Sequence, residues 1–303
     1  MQCINLRAIM IQIKAVQRIG EPGRGRRRRS MRSFVVIFLL LLLSVFNYPA
    51  TADLVLSAPP REKPERGEAL YGPLAESLTK LLGEKVTYVH PNNWLEYQHD
   101  LRKDKYDIVF DGPHFISWRI EHLHNDVLVK LPGTLEFVIV VKSDDKEIKK
   151  LKNLIGKKIC GIPPPNLASL TVIDQFKNPV RQPIIWGIRG GNAQVFRAFD
   201  EGQCRAAALL ASYYEKNLSA DKRKNTRVLF RSKALPNQAI SVSTRVSAMN
   251  RSKIIRSLTI GQGRKAAEPI AKRFSGKDED FVAATKKEYL NHYGLLEDAV
   301  FGW

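Results

Sequence analysis

Much of what a catalyst or a metal centre needs is scarce in this chain. It holds three cysteines in 303 residues, and no Cys or regular carboxylate spacing completes a metal site with the histidines. His90, His99, His114, His122 and His124 cluster loosely along the chain. His122 and His124 are two apart, so on a helix they point in different directions and read best as solvated. There is no G-x-S-x-G elbow, and no Ser or Cys stands beside a convincing base. The paired carboxylates Asp144-Asp145 and Asp278-Glu279-Asp280 lie in polar stretches and read as solvated turns or a helix start. Enzymatic turnover is therefore not expected, and neither is a metal or cofactor. Helix-turn-helix, zinc-finger and aromatic-rich basic groove signatures are missing too, which leaves nucleic acid out as a partner. No internal repeat or low-complexity tract follows residue 53.

No apolar run reaches the about twenty residues of a membrane span. The longest, residues 34–46, instead follows a charged run (Arg26, Arg27, Arg28, Arg29 and Arg32) and precedes Pro49-Ala50-Thr51-Ala52. That order of basic, apolar and A-x-A segments reads as a secretory leader cleaved near Ala52. Met31 is an alternative initiator, which would make residues 1–30 an upstream extension. No Cys follows the apolar run, so a lipid anchor is not expected. The mature chain is then residues 53–303, outside the cytoplasm.

The formal charge is +19. Nine of the 49 basic residues but one of the 30 acidic ones precede Asp53, so the mature part carries +11. That balance favours an anionic ligand or an anionic surface. Export also changes how the cysteines read. Cys3 leaves with the leader, and Cys160 and Cys204 remain as an even pair in an oxidising compartment. Each falls in a short predicted strand, 158–162 and 204–210. If those strands are neighbours in one parallel sheet, the pair is within reach of a structural disulfide, which is expected over two buried thiols.

Strands and helices alternate along the body, arguing for βαβ units and parallel sheets. Strands are expected at 54–58, 86–90, 106–110, 135–141, 183–188, 204–210, 228–231 and 239–245. Helices are expected at 68–82 (with Gly83 as its stop), 94–102 and 192–201, and residues 252–293 read as mostly helical. Residues 149–154 read as a short basic turn. The tail from Phe274 onward supplies Phe281, Tyr289, Tyr293, Leu295 and Leu296 as core.

The central stretch is Lys158-Ile159-Cys160-Gly161-Ile162-Pro163-Pro164-Pro165-Asn166 followed by Leu167 and Ala168. Three prolines cannot continue a ladder. Asn166 is a good N-cap, and apolar residues at 167, 170, 172, 173 and 176 have helical spacing. A helix that begins beyond the end of a strand points free amides into the crevice where α/β sheets bind ligands. Ser169 and Thr171 add hydroxyls in the first turns. The reading is a small-anion cradle, against the alternative of an ordinary capped strand-to-helix junction. His114 follows Gly112-Pro113 at another strand end, where it could donate to an anion, with Phe115 or Trp118 as a stacking wall.

These residues carry a family resemblance. Tyr71-Gly72-Pro73-Leu74-Ala75, then Tyr106-Asp107-Ile108 leading into Gly112-Pro113, resembles the first lobe of the phosphonate-binding-protein-like family of periplasmic receptors. Leu151-Lys152-Asn153-Leu154-Ile155-Gly156-Lys157 is similar to the L-x-D-L-x-G-K opening of the second lobe in type 2 periplasmic binding proteins. Gly190-Gly191-Asn192 and Leu235-Pro236-Asn237 continue the order. The resemblance implies an α/β fold of two lobes, 53–137 with 242–303 and 138–241, joined by two hinge strands around a cleft. It implies a small anionic ligand, phosphonate- or phosphate-like, held by Tyr71, His114, Phe115, Asn166, Ser169, Thr171 and Asn192. The implied partner is the inner-membrane permease of an ABC importer, or alternatively a membrane sensor, and the protein is expected to be a periplasmic monomer. Two departures bear on the ligand. A His common at the position of Asn192 is absent, and an Asp common near Arg205 has become Arg, so an aminated phosphonate loses acidic partners. Arg189 and Arg205 are candidates for a more anionic ligand or for plain surface residues.

Overall fold

A computed structural model describes residues 53–298. The leader, its cleavage site and Met31 fall outside these residues. These residues form one compact unit, and every core cluster described below is closed by residues within it.

In chain order the first half forms β1 (Leu54–Ser57), α1 (Pro64–Leu82), β2 (Val86–Val89), α2 (Trp94–Arg102), β3 (Ile108–Asp111) and α3 (Pro113–Leu123). There follow β4 (Asp126–Lys130), β5 (Thr134–Leu135), β6 (Phe137–Lys142), a 3-10 turn at Leu151–Leu154, β7 (Lys158–Gly161) and α4 (Leu167–Asp174). Next come β8 (Ile184–Gly187), α5 (Asn192–Asp200), β9 (Ala206–Leu210), α6 (Ala211–Lys216), α7 (Ala220–Lys224) and β10 (Thr226–Arg231). The chain finishes with β11 (Leu235–Pro236), β12 (Ala239–Val242), α8 (Ala248–Thr259), α9 (Gly263–Ser275), β13 (Val282–Ala283), α10 (Lys286–Tyr289) and α11 (Gly294–Glu297).

Two sheets organise these elements. The first has the order β13-β4-β12-β3-β1-β2, with β1 parallel to both β2 and β3 and β12 antiparallel to β3 and β4. The second has the order β10-β6-β9-β7-β8, with β7 parallel to β8 and β9. Between them in sequence, β5 and β11 pair antiparallel, Leu235 opposite Leu135. The two chain crossings therefore run side by side as a small ladder.

Local signals explain the best-placed elements. Pro64 sits at the start of α1, where its missing N–H costs nothing, and Gly83 ends the helix with φ 73°, donating its N–H to Thr79 at 3.0 Å. Leu70, Tyr71, Leu74, Ala75, Leu78 and Leu82 make its buried stripe and pack on the first sheet with Ile254, Leu258, Ile270 and Phe281. The second sheet is covered on both faces. Val138, Val140, Val195, Phe196, Phe199 and Leu209 fill one side, and Ile139, Val141, Ile159, Val172 and Phe176 the other.

Cys160 and Cys204 form a disulfide, with their Cα atoms 5.6 Å apart. Cys204 lies just ahead of β9 rather than inside it, because pairing of β9 with β7 begins at Ala206 opposite Ile159. Three other expectations shift. The run at 135–141 is split at Glu136 into β5 and β6. Val282 and Ala283 pair with β4 as a short strand inside a stretch expected to be helical. The strand expected at 239–245 stops at Val242.

Candidate ligand-binding site

The first sheet delivers a carboxylate at the carboxyl end of β3. Asp111 is fully buried and accepts hydrogen bonds from the Tyr97 hydroxyl, from the Gly112 N–H at 2.6 Å and from Arg61 Nη2 at 2.9 Å. Burial raises its pKa from the usual carboxylate value, an effect that Arg61, Tyr97 and Gly112 oppose without cancelling. Arg61 comes from the loop after β1, and its guanidinium lies 5.9 Å from the Trp94 ring centroid and 5.7 Å from that of Phe274. Its other arm, Nη1, is buried and has no hydrogen-bond partner among the described residues. A buried guanidinium donor without an acceptor is costly.

Tyr71 borders this group. Its ring packs on Tyr88 at 5.1 Å and Phe110 at 6.1 Å. Burial raises its pKa; the nearby Arg61 charge opposes this and Asp111 adds to it. No hydrogen bond of its hydroxyl occurs among the described residues.

His114 and Phe115 stand in the first turn of α3, which opens at Pro113. Phe115 is buried against Trp94, Tyr97 and His114, with ring centroids 6.3, 5.6 and 4.5 Å away. It is a wall of the core, not an exposed stacking face. His114 is 2% exposed, and its Nε2 lies 3.1 Å from the Pro165 carbonyl oxygen. A carbonyl only accepts, so Nε2 carries the proton and the unpartnered, buried Nδ1 is an acceptor. The ring thus gives its hydrogen bond to the chain rather than to an anion, and ties the strand-end cluster of the first sheet to the turn after β7.

That hydrogen bond has a pH consequence. Burial lowers the His114 pKa from 6.5 to about 3; the Pro165 carbonyl opposes this, while Arg61 and His292 reinforce it. Between those values the unfolded chain binds the proton and the folded one does not, so stability is lost as pH falls below about 6.5. From pH 7 to pH 5 the loss from this residue should be about 2 kcal/mol. Denaturant melts of the wild type and of His114→Gln should show the acid loss shrinking in the variant. An unchanged acid limb would refute the assignment.

The second sheet supplies the turn and helix start that follow β7. Asn166 caps α4, its Oδ1 accepting from the Ala168 N–H at 3.0 Å. Ser169 donates its hydroxyl proton to the Ile162 carbonyl at 2.5 Å, and Thr171 donates to the Leu167 carbonyl at 2.8 Å. Both hydroxyls are committed to the backbone, so donors to an anion here would be the Leu167 and Ser169 amides, which no intrahelical carbonyl satisfies, the Ala168 N–H being held by Asn166. Gly161 allows this packing, since a Cβ there would stand 2.8 Å from Ser169 Oγ. Asn192 opens α5, and its Oδ1 accepts from the Leu210 N–H at 3.0 Å, fixing the end of β9.

The structure therefore brings His114, Phe115 and the Pro165–Asn166 turn together, and sets Tyr71 beside Arg61 and Asp111. Asn192 belongs to the next strand end. Arg205 pairs with Asp145 at 2.8 Å and Glu147 at 2.9 Å on the surface; Arg189 is exposed. The closing segment reaches across as well: Leu296 shares a cluster with Phe115, Trp118 and Leu170, and Leu295 packs with Leu167 and Phe137. Trp118 donates its indole N–H to Glu297 at 3.0 Å. Sequence reasoning missed Arg61, Asp111, Tyr97 and Trp94. The available signal was a single acid closing the apolar run Ile108-Val109-Phe110. Among the described residues no three His, Cys, Asp or Glu side chains gather to hold a metal.

Residues 56–289 match the family model described as "ABC transporter, phosphonate, periplasmic substrate-binding protein". No curated protein sequence is matched. Among solved structures, PhnD1 from Prochlorococcus marinus in complex with methylphosphonate is similar at TM-score 0.56 and 17% identity, over 80% of this chain and 96% of that one. A binding protein component of an ABC phosphonate transporter from Pseudomonas aeruginosa is similar at TM-score 0.54 and 14% identity, over 80% and 85%. A Xanthomonas citri protein bound to ATP is similar at TM-score 0.64 and 14% identity, over 83% and 100%. At such identities the likeness is one of fold.

Proposed function

Because the chain belongs to the family of periplasmic phosphonate-binding proteins of ABC transporters, with the mixed α/β fold of type 2 periplasmic receptors, we propose that it captures a small phosphonate- or phosphate-like anion between two lobes and delivers it to an importer's permease. The lobes expected at 53–137 with 242–303 and at 138–241 each take one sheet once their bounds move to the β5–β11 ladder, since Phe137 pairs in the second sheet and Ala239 in the first; that ladder is the hinge. The leader is removed near Ala52, and the mature protein works in the periplasm.

The observation that carries this reading is Arg61, whose buried Nη1 lacks an acceptor close to His114 and Tyr71, beside the meeting point of the two lobes. An anion there would take Arg61 Nη1 and the Tyr71 hydroxyl from the first lobe, and the first amides of α4 from the second. Closure then follows from binding, because only a ligand that contacts both lobes favours the closed state over the open one. Asp111 already holds Arg61 as its cation, which suits a ligand without an ammonium group.

The test is a thermal-shift series on the oxidised chain from Asp53 onward, with methylphosphonate, phosphite, phosphate, sulfonates and small carboxylates. A ligand at about 100 times its dissociation constant adds roughly 2.7 kcal/mol, or about 5–11 °C for a chain of this size. Tyr71→Phe and Arg61→Gln should each abolish or strongly reduce the shift. A folded protein that none of these anions stabilises would refute the anion reading.

A further inference from the structure

At the amino ends of β7 and β8, away from the candidate site, one corner of the second sheet combines exposed cations with exposed apolar side chains. Lys149, Lys150, Lys152, Lys157, Lys158 and Arg181 are all exposed, and none has an ion-pair partner among the described residues. Beside them Arg205, whose N–H donates to the Lys158 carbonyl, is paired with Asp145 and Glu147, while farther off Arg231 is paired with Glu136 and Glu215. The backbone gathers the six. Gly156 donates to the Gln182 carbonyl and Ile184 to that of Lys157, while Lys158 pairs in register with Ile184.

Apolar side chains are exposed in the same corner. Val180 is 89% exposed at the tip of the loop before β8, and Ile184 and Trp186 on that edge strand are 50% and 43% exposed. Lys158 Nζ stands 4.0 Å from the Trp186 ring centroid. An exposed Trp, Ile and Val ringed by unpaired cations is a surface left without its partner.

We propose that this corner docks the protein on an anionic bilayer surface. The cations are long, flexible point charges spread over a turn, a strand start and a loop, which suits a fluid layer of headgroups better than the fixed acidic groove of a protein. Trp186 offers the amphipathic ring favoured at membrane interfaces, and Val180 projects as an apolar tip. Importer delivery takes place at a membrane, so holding the protein there raises its local concentration at the permease. The candidate ligand site lies at the other end of β7.

The experiment is co-sedimentation of the chain from Asp53 onward with vesicles of phosphatidylglycerol and phosphatidylcholine, against pure phosphatidylcholine. Binding is expected to the anionic vesicles only and to weaken with salt. The Lys150→Glu/Lys152→Glu/Lys157→Glu variant should bind on the order of 100-fold more weakly, at about fivefold per cation. Trp186→Ala should lose the fluorescence change that accompanies vesicle binding. Thermal melts confirm folding of each variant, and an anion-induced shift that survives in them separates this proposal from the ligand reading. Equal sedimentation with both vesicles, or a triple variant that binds like the wild type, overturns the proposal. So does capture of the corner by an acidic protein when vesicles are not bound.

Discussion

Replacing Asp111 with alanine should destabilise the protein by about 3–5 kcal/mol, the cost of removing one partner of a buried ion pair. Three donors converge on this carboxylate: the Tyr97 hydroxyl, the Gly112 N–H and Arg61 Nη2. Alanine leaves the Tyr97 hydroxyl buried without an acceptor, and leaves Arg61, one of whose arms is already unpartnered, with no acceptor at all. Asp111→Asn keeps a carbonyl oxygen but turns an amide toward the guanidinium, so it should fall between alanine and wild type. The expected fall in the melting midpoint is on the order of 10 °C for Asp111→Ala. The variant also removes an opposing pH effect. A carboxyl whose folded pKa lies above its unfolded value takes up a proton first in the folded state, so its contribution grows as pH drops through the folded pKa. That direction is opposite to His114. Urea melts at neutral pH decide the matter, and a loss of under about 1 kcal/mol would show that the three bonds do not hold the strand end together.

Legibility in the sequence followed the range of the interactions. Gly83 as a helix stop, Asn166 as a cap and the bounds of α2 depend on a few neighbouring residues, and each stands where local chemistry places it. The Cys160–Cys204 pair was readable because a parallel βαβ reading makes their strands neighbours. Val282 and Ala283 were not, because their strand exists only through pairing with β4, some 150 residues earlier in the chain. The site divides the same way. The strand-to-helix junction at Asn166 announces itself by prolines, a cap and a helical period. Arg61 does not, since its importance comes from Asp111, and nothing in the surrounding sequence distinguishes it from Lys63 or Arg66. The commitment of the Ser169 and Thr171 hydroxyls to carbonyls is likewise a property of geometry. Residue type supplies a donor, and only the fold says where the proton goes.

Breaking the disulfide should have an effect of similar size and different origin. Cys160 and Cys204 are 44 residues apart, and in the chain-entropy account closing such a loop removes about 4 kcal/mol of conformational freedom from the unfolded state. Both residues are buried beside Val138, Phe196 and Phe199, so the Cys160→Ala/Cys204→Ala variant also loses a little packing. Reduction of the wild type tests the loop term without that change. Oxidised and reduced protein should differ by about 4 kcal/mol in urea melts, with the double variant at or slightly below the reduced form. Because β7 leads directly into the turn that meets His114, hydrogen exchange should rise first in β7, β8 and α4 on reduction. The redox dependence also bears on the proposed export. Chain retained in a reducing cytoplasm would lack the bond and melt lower, and oxidation after purification should restore the full midpoint. If reduction shifts the melt by less than about 1 kcal/mol, the unfolded chain is already compact across this loop, and the bond contributes little to the stability of the fold.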